Sequence, residues 1–190
     1  MLASCKDELA FCDQFIEKGL IERLKKTLAT PFAKVSYTEA VKILEPHKSE
    51  FEYDIYWGAD LRTEHERFLS EKVFRQPVFV YHYPKDFKAF YMKACEDGKT
   101  CRATDLLVPG IGELCGAGER ECDLKRLQAR IKEKDLKESD YSWHLKLREW
   151  GSVAHSGFGM GFDRLIMFLT GMKSIKDVIP FPRTAKSCEF

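Results

Sequence analysis

His155-Ser-Gly-Phe-Gly-Met-Gly-Phe-Asp-Arg164, followed by the apolar run Leu165-Ile-Met-Phe-Leu169, reads as a strand turning into a buried helix. Gly157, Gly159 and Gly161 stand at alternate positions, so an extended segment would leave one face as bare backbone on which a flat ligand could lie. Phe162, Leu165, Ile166 and Leu169 recur at i, i+3, i+4 and i+7, the spacing of a helix face. Arg164 then falls in the first helical turn, where the macrodipole already presents positive charge and a cation needs an anion opposite it. Two readings follow from the residues alone. The anion is a bound phosphate, as helix N-termini often hold, or it is a carboxylate from elsewhere in the chain, beside a glycine-kinked core strand.

Working outward, 190 residues with 44% hydrophobic and 32% charged side chains suit one globular domain. The balance of 31 Lys+Arg against 30 Asp+Glu gives a net charge of +1, which neither demands nor excludes a nucleic-acid partner. Seven cysteines, an odd number with no Cys-x-x-Cys pair, read as reduced intracellular thiols rather than disulfide staples. Charge appears within the first eight residues where a signal peptide would be apolar, so a cytoplasmic location is expected. No segment approaches eighteen uninterrupted apolar residues, and no membrane span is expected.

Helical periodicity runs from Lys6 to about Thr27 with a break near Gly19, over Glu39–Leu44 with Thr38 as N-cap, and over Thr63–Phe74 with Thr63 and Glu66 as a capping box. His65, inside Glu64-His-Glu66, reads as part of a solvated helix face. Strand-like runs are Pro77–Tyr83, Phe90–Ala94, Thr104–Val108 and the glycine-rich Ile111–Gly118, with an Asp97-Gly98 turn making neighbours antiparallel. Basic amphipathic helices follow over 124–131 and 139–150, and Gly171 is placed to cap the last helix. The aromatic residues of 53–57 and 141–150 are expected in the core. The layout is α+β, an antiparallel sheet with helices packed on one side.

Both glycine-rich strands deliver an arginine at or just after their ends, Arg120 and Arg164, and Asp105 and Glu113 lie eight apart on consecutive strands. Carboxylates and arginines beside bare backbone suit a nucleotide with its magnesium. A strand-end carboxylate at Asp105 and a structural one at Glu113 are the plainer alternatives. Gly-x-Gly-x-Gly is not the dinucleotide fingerprint, no P-loop occurs, and the five histidines show no zinc-ligand spacing. Cys115, beside the glycines, is the one cysteine placed suggestively, with small-residue packing as its plainer use.

Tyr83-Pro-Lys-Asp-Phe-Lys-Ala-Phe-Tyr-Met92, Asp97-Gly-Lys-Thr100, Asp105-Leu-Leu-Val-Pro-Gly-Ile-Gly-Glu-Leu114, Gly157–Arg164 and Asp177-Val-Ile-Pro-Phe-Pro-Arg-Thr184 come in the order of segments in one family. Over nearly its whole length the chain resembles the C-terminal part of a class II aminoacyl-tRNA synthetase catalytic domain, and within that class the asparaginyl-tRNA synthetases. The resemblance implies that Arg164 meets the γ-phosphate of ATP and that Gly157, Gly159, Gly161, Phe162 and Asp163 belong to the ATP site. It implies that Asp105 and Glu113 hold Mg2+, and that Arg120, with Tyr91 and Gly116, lines the amino-acid pocket. Ala117 and Gly118 depart from the family's glycine and serine, which removes a hydroxyl from that pocket. An arginine fork suits a carboxylate as well as an amide carbonyl, so Arg120 alone does not separate asparagine from aspartate.

The implied activity is ATP-dependent formation of an asparaginyl-adenylate and transfer to tRNA, by a homodimer in the full-length enzyme. The first two class motifs and the anticodon-binding domain have no counterpart in residues 1–190, so a truncated catalytic domain, inactive by itself, is expected. The alternatives are a non-catalytic synthetase-derived binding or regulatory protein, and an aspartate-specific or asparagine-forming relative.

Overall fold

The computed structural model describes residues 1–188. Its frame is a sheet in the order β1-β2-β3-β4-β5, comprising Ala33–Ser36, Val78–Tyr81, Ala103–Val108, Gly112–Glu119 and Ser156–Met160. Pairings from β2 to β5 are antiparallel and β1 runs parallel to β2, so the α+β architecture stands with one parallel pair added. β1 was not foreseen because four residues are too short to show a period. Phe90–Ala94, expected as a strand, makes only isolated bridges, Met92 to Arg120 and Ala94 to Cys101. The Asp97-Gly98 turn does form, with Asp97 Oδ1 accepting from the Lys99 and Thr100 amides at 2.9 and 2.8 Å.

Helices α1 (Lys6–Phe15) and α2 (Leu20–Ala29) separate at Gly19, whose φ of 87° is left-handed. α3 (Tyr37–Leu44) is capped by Ser36 rather than Thr38: Ser36 Oγ accepts the Glu39 amide at 3.2 Å and Glu39 Oε2 accepts the Ser36 amide at 3.1 Å. A Ser-x-x-Glu box satisfies two free amides at once, and Thr38, two residues later, has no such partner. α4 (Thr63–Arg67) continues through a wider π-helical turn, Phe68–Val73. The Thr63–Glu66 box is not formed; the Arg62 amide donates to His65 Nδ1 at 3.1 Å, which frees the Glu66 carboxylate. His65 is fully buried, edge-on to Phe51 and 3.1 Å from the Tyr53 carbonyl, not on a solvated face. α5 (Leu124–Glu133), α6 (Ser142–Glu149) and α7 (Phe162–Thr170) complete the set, and Gly171 closes α7 at φ 80° as expected. No helix among the described residues is long and apolar enough to cross a membrane.

Helices cover both faces of the sheet, not one. Val78, Val80, Ala103 and Leu107 pack beneath α3 and α4 with Tyr37, Leu44 and Leu69. Val108 and Leu114 point the other way, into a core with Leu9, Leu20, Leu24 and Phe168 from α1, α2 and α7. Leu127, Ile131 and Leu145 join α5 to α6 beside Phe90 and Tyr91. α7 is half-buried: Phe168 is buried with Leu165 and Leu169 packed beside it, whereas Phe162 in the first turn is 70% exposed. Tyr53, Tyr56, Trp57, Trp143 and Trp150, expected in the core, are exposed. On α6 the inward face belongs to Leu145 and Arg148, which leaves Trp143 and Leu147 outside. Leu107, with no exposed surface, ties β3 to α4's side of the core. Leu107→Ala is expected to lower unfolding free energy by about 2–5 kcal/mol in urea titration.

Candidate active site

The site grows from the register of three strands. Gly116 pairs with Gly159 and Gly118 with Gly157 across β4 and β5. Paired residues point to the same side of a sheet, and residues two apart share a face. Four missing side chains therefore fall on one face, and a Cβ added at Gly159 would meet nothing within 4 Å, leaving an open floor. Gly161 lies just beyond the strand, capping α7, with its Cβ direction against the Arg164 side chain.

A β-bulge brings the carboxylates to that face. Leu106 pairs with Cys115 but Leu107 pairs with Glu113, so Leu114 is an extra residue on β4. Strict alternation would put Glu113 on the face opposite Gly116, and the inserted residue reverses this. Glu113 thus joins Asp105, which pairs with Gly116. A Cβ on Gly116 would lie 2.9 Å from Glu113 Oε1 and 3.3 Å from Asp105 Oδ1, so the two carboxylates converge over a cradle that only glycine leaves free.

Asp105 is 7% exposed and its other oxygen receives Lys88 Nζ at 2.7 Å. The Lys88 ammonium also lies 4.0 Å from the centre of the Tyr83 ring. Tyr83 is buried, and burial followed by the Asp105 charge keeps its hydroxyl protonated well above the ordinary tyrosine range. A third carboxylate, absent from the sequence-derived set, comes from α4: Glu66 Oε2 accepts the Glu113 amide at 2.9 Å. Burial pushes the Glu66 carboxyl up to about 7, and Glu113 and Asp105 push the same way against Arg164. Gly112, at φ 91°, is the trace of this approach, because a Cβ there would sit 2.5 Å from Glu66 Oε2. A glycine just before a strand acid is a sequence signal for close approach by another element, but it does not say which element approaches.

Arg164 Nη1 donates to the Glu113 carbonyl at 2.5 Å and lies 3.7 Å from Glu113 Oε2. The carboxylate partner foreseen for this arginine is therefore present within the chain. The guanidinium stays about half exposed, with donors to spare for a further anion. Arg120 is fixed on the same face at the β4–β5 end, since a Cβ on Gly157 would lie 2.8 Å from its Nη2. Its Nη1 donates to the Gly118 carbonyl at 2.8 Å, and its guanidinium carbon stands 5.2 Å from the centre of the Tyr91 ring. Met92 fills the space over Gly118. Asp105, Glu113, Gly116, Arg120, Tyr91, Gly157, Gly159 and Arg164 thus gather along one surface, while the Phe162 ring is exposed at its rim and Asp163 follows in the same turn. Burial, then Asp105 and Glu113, raise the Cys115 thiol, which opposes a nucleophilic thiolate there.

Two convergent carboxylates over the Gly116 cradle fit a magnesium ion that takes its remaining oxygens from phosphate or water. Among the described residues no group of three or more His, Cys, Asp or Glu side chains is arranged to hold a metal ion.

The profile of the family "tRNA synthetases class II (D, K and N)" matches residues 2–185. The chain is 56% identical over all 190 residues to an asparagine–tRNA ligase of Clostridium perfringens, covering 41% of that protein. It is 57% identical over 189 residues to one of Treponema denticola, covering 40% of it. The chain thus spans about two fifths of the length of these relatives. Among solved structures, the Pyrococcus horikoshii asparaginyl-tRNA synthetase complexed with asparaginyl-adenylate superposes with TM-score 0.80 at 38% identity, over 93% of this chain and 39% of that one. The Entamoeba histolytica asparaginyl-tRNA synthetase in complex with asparaginyl-adenylate gives 0.82 at 29% identity, over 99% and 41%.

The Glu66 environment has a measurable consequence. Its folded value of about 7 exceeds the ordinary 4.5, so between these pH values the folded state holds a proton that the unfolded state lacks. Stability from this group is fully present below about 4.5 and is lost as pH rises through about 7. Glu66→Gln, which cannot ionise, is expected to gain on the order of 2 kcal/mol over the parent between pH 5 and pH 8. Urea titrations of both proteins at the two pH values check it; parallel pH dependence would contradict the assignment.

Proposed function

The chain belongs to the class II tRNA synthetases (D, K and N), and from that premise we propose that its bare-backbone face is part of the adenylate-forming site of an asparagine–tRNA ligase. The observation that carries the reading is the convergence of Asp105, Glu113, Arg120 and Arg164 on a surface floored by Gly116, Gly157 and Gly159. The amino acid is taken from the relatives, 56–57% identical over the whole chain, because Arg120 by itself accepts either an amide carbonyl or a carboxylate.

In this reading the adenine lies along the bare backbone of Gly157 to Gly161, which is open at Gly159, bordered by Phe162 and Asp163. Arg164 turns its spare donors to the γ-phosphate, while its bond to the Glu113 carbonyl fixes the direction of the fork. Asp105 and Glu113 hold magnesium, which when bound neutralises charge on the ATP phosphates. Lys88, lying over the Tyr83 ring, donates to Asp105 and fixes the direction of its carboxylate. Arg120, braced by the Gly118 carbonyl and the Tyr91 ring, receives the side chain of the amino acid. The amino-acid carboxylate attacks the α-phosphate, pyrophosphate leaves, and the aminoacyl group passes to the terminal adenosine of tRNA. No covalent enzyme intermediate is required. The side chains contribute position and charge stabilisation.

The chain accounts for 41% of the Clostridium perfringens relative, so the full reaction, the tRNA, a homodimeric assembly and a cytoplasmic setting are proposed for these residues within a full-length enzyme. The test grafts residues 1–190 in place of the matching part of that relative. Asparagine-dependent exchange between ATP and pyrophosphate is expected. Arg164→Ala should reduce it by roughly a hundredfold or more, and Arg120→Ala should raise the KM for asparagine ahead of that for ATP. A graft that is inactive, or that prefers aspartate, would overturn the reading.

A further inference from the structure

Glu113 is gripped at both of its peptide groups by side chains from two helices. Its amide donates to Glu66 Oε2 of α4 at 2.9 Å, and its carbonyl receives Arg164 Nη1 of α7 at 2.5 Å. It also stands at the bulge, where a strand residue is least constrained by its neighbours. The direction of its carboxylate over Gly116 therefore needs support from outside the ladder, and Glu66 is placed to give it. Gly112 adopts φ 91° and offers no Cβ, which would sit 2.5 Å from Glu66 Oε2, so the backbone is shaped to admit this one side chain.

We propose that Glu66 is a positioning residue of the site: by accepting the Glu113 amide it locks the bulge and aims the Glu113 carboxylate at the magnesium cradle. Glu66 touches neither the cradle nor Arg120; it acts through Glu113. The proposal rests on the reading of Glu113 as a magnesium ligand given above. The bond to the Glu113 amide needs an acceptor oxygen at the Glu66 Oε2 position. A neutral acceptor of the same shape would make the same bond. The effect should therefore follow the acceptor oxygen rather than the charge.

Two measurements test this. In the 190-residue chain, hydrogen exchange at the Glu113 amide should be slow in the parent and in Glu66→Gln and clearly faster in Glu66→Ala; equal exchange in all three overturns the proposal. In the grafted full-length enzyme, Glu66→Ala should raise the magnesium concentration for half-maximal ATP–pyrophosphate exchange roughly tenfold or more. The KM for ATP should rise with it while the KM for asparagine stays near the parent value, and Glu66→Gln should restore both. Unchanged magnesium dependence in Glu66→Ala, or a Glu66→Gln variant as impaired as the alanine, overturns the positioning role. An inactive graft whose 190-residue chain still shows the amide contrast would refute the function and leave the grip of Glu66 on Glu113 supported.

Discussion

One extra residue in β4 decides the chemistry of this surface. Leu114 has no partner opposite it in β3, and its insertion moves Glu113 from one side of the sheet to the other. Leu114 itself turns into the core with Val108 and Phe168, so burial of an apolar side chain holds the bulge in place. The acidic pair over Gly116, the amide offered to Glu66 and the carbonyl offered to Arg164 all follow from that displacement.

Charge is then arranged around the bulge in two layers. Three carboxylates, Glu66, Asp105 and Glu113, lie together at the bulge, and two cations, Lys88 and Arg164, answer them. Lys88 neutralises Asp105 from within, and Arg164 approaches Glu113 from the open side. The inner pair is shielded from water and the outer one is not. A cation brought to Glu113 and Asp105 would meet acids already turned toward it, with Arg164 free to take an anion. That asymmetry suits a ligand carrying both a divalent cation and phosphates.

The members of the site were legible in the sequence to the extent that their chemistry is written in neighbours along the chain. Gly157 and Gly159 announce bare backbone by their alternation, Arg164 announces an anion by its place in a first helical turn, Glu113 follows a glycine, and Arg120 comes just after a glycine-rich strand. Glu66 was hidden because a carboxylate in a charged helical stretch reads as solvent-facing, and the contact that buries it comes from a residue 47 positions away. Lys88 was hidden likewise, since its partner Asp105 is 17 residues distant. His65 misled for the same reason: its burial depends on Phe51 and Tyr53, not on helix period.

By itself the sequence determined the elements whose causes are local: the break at Gly19, the Asp97-Gly98 turn, the glycine-rich strands, the cap at Gly171 and the order of motifs that marks the family. Only the tertiary structure decided which face each acid occupies, that β1 joins the sheet in parallel, and that the aromatic residues of α6 lie outside. The physical reason is that local conformation is set by neighbours within a few residues, whereas register and burial are set by partners brought together from far along the chain. In β4 a single unpaired residue reverses the facing of every side chain before it, and no periodicity in the sequence reveals where that residue falls.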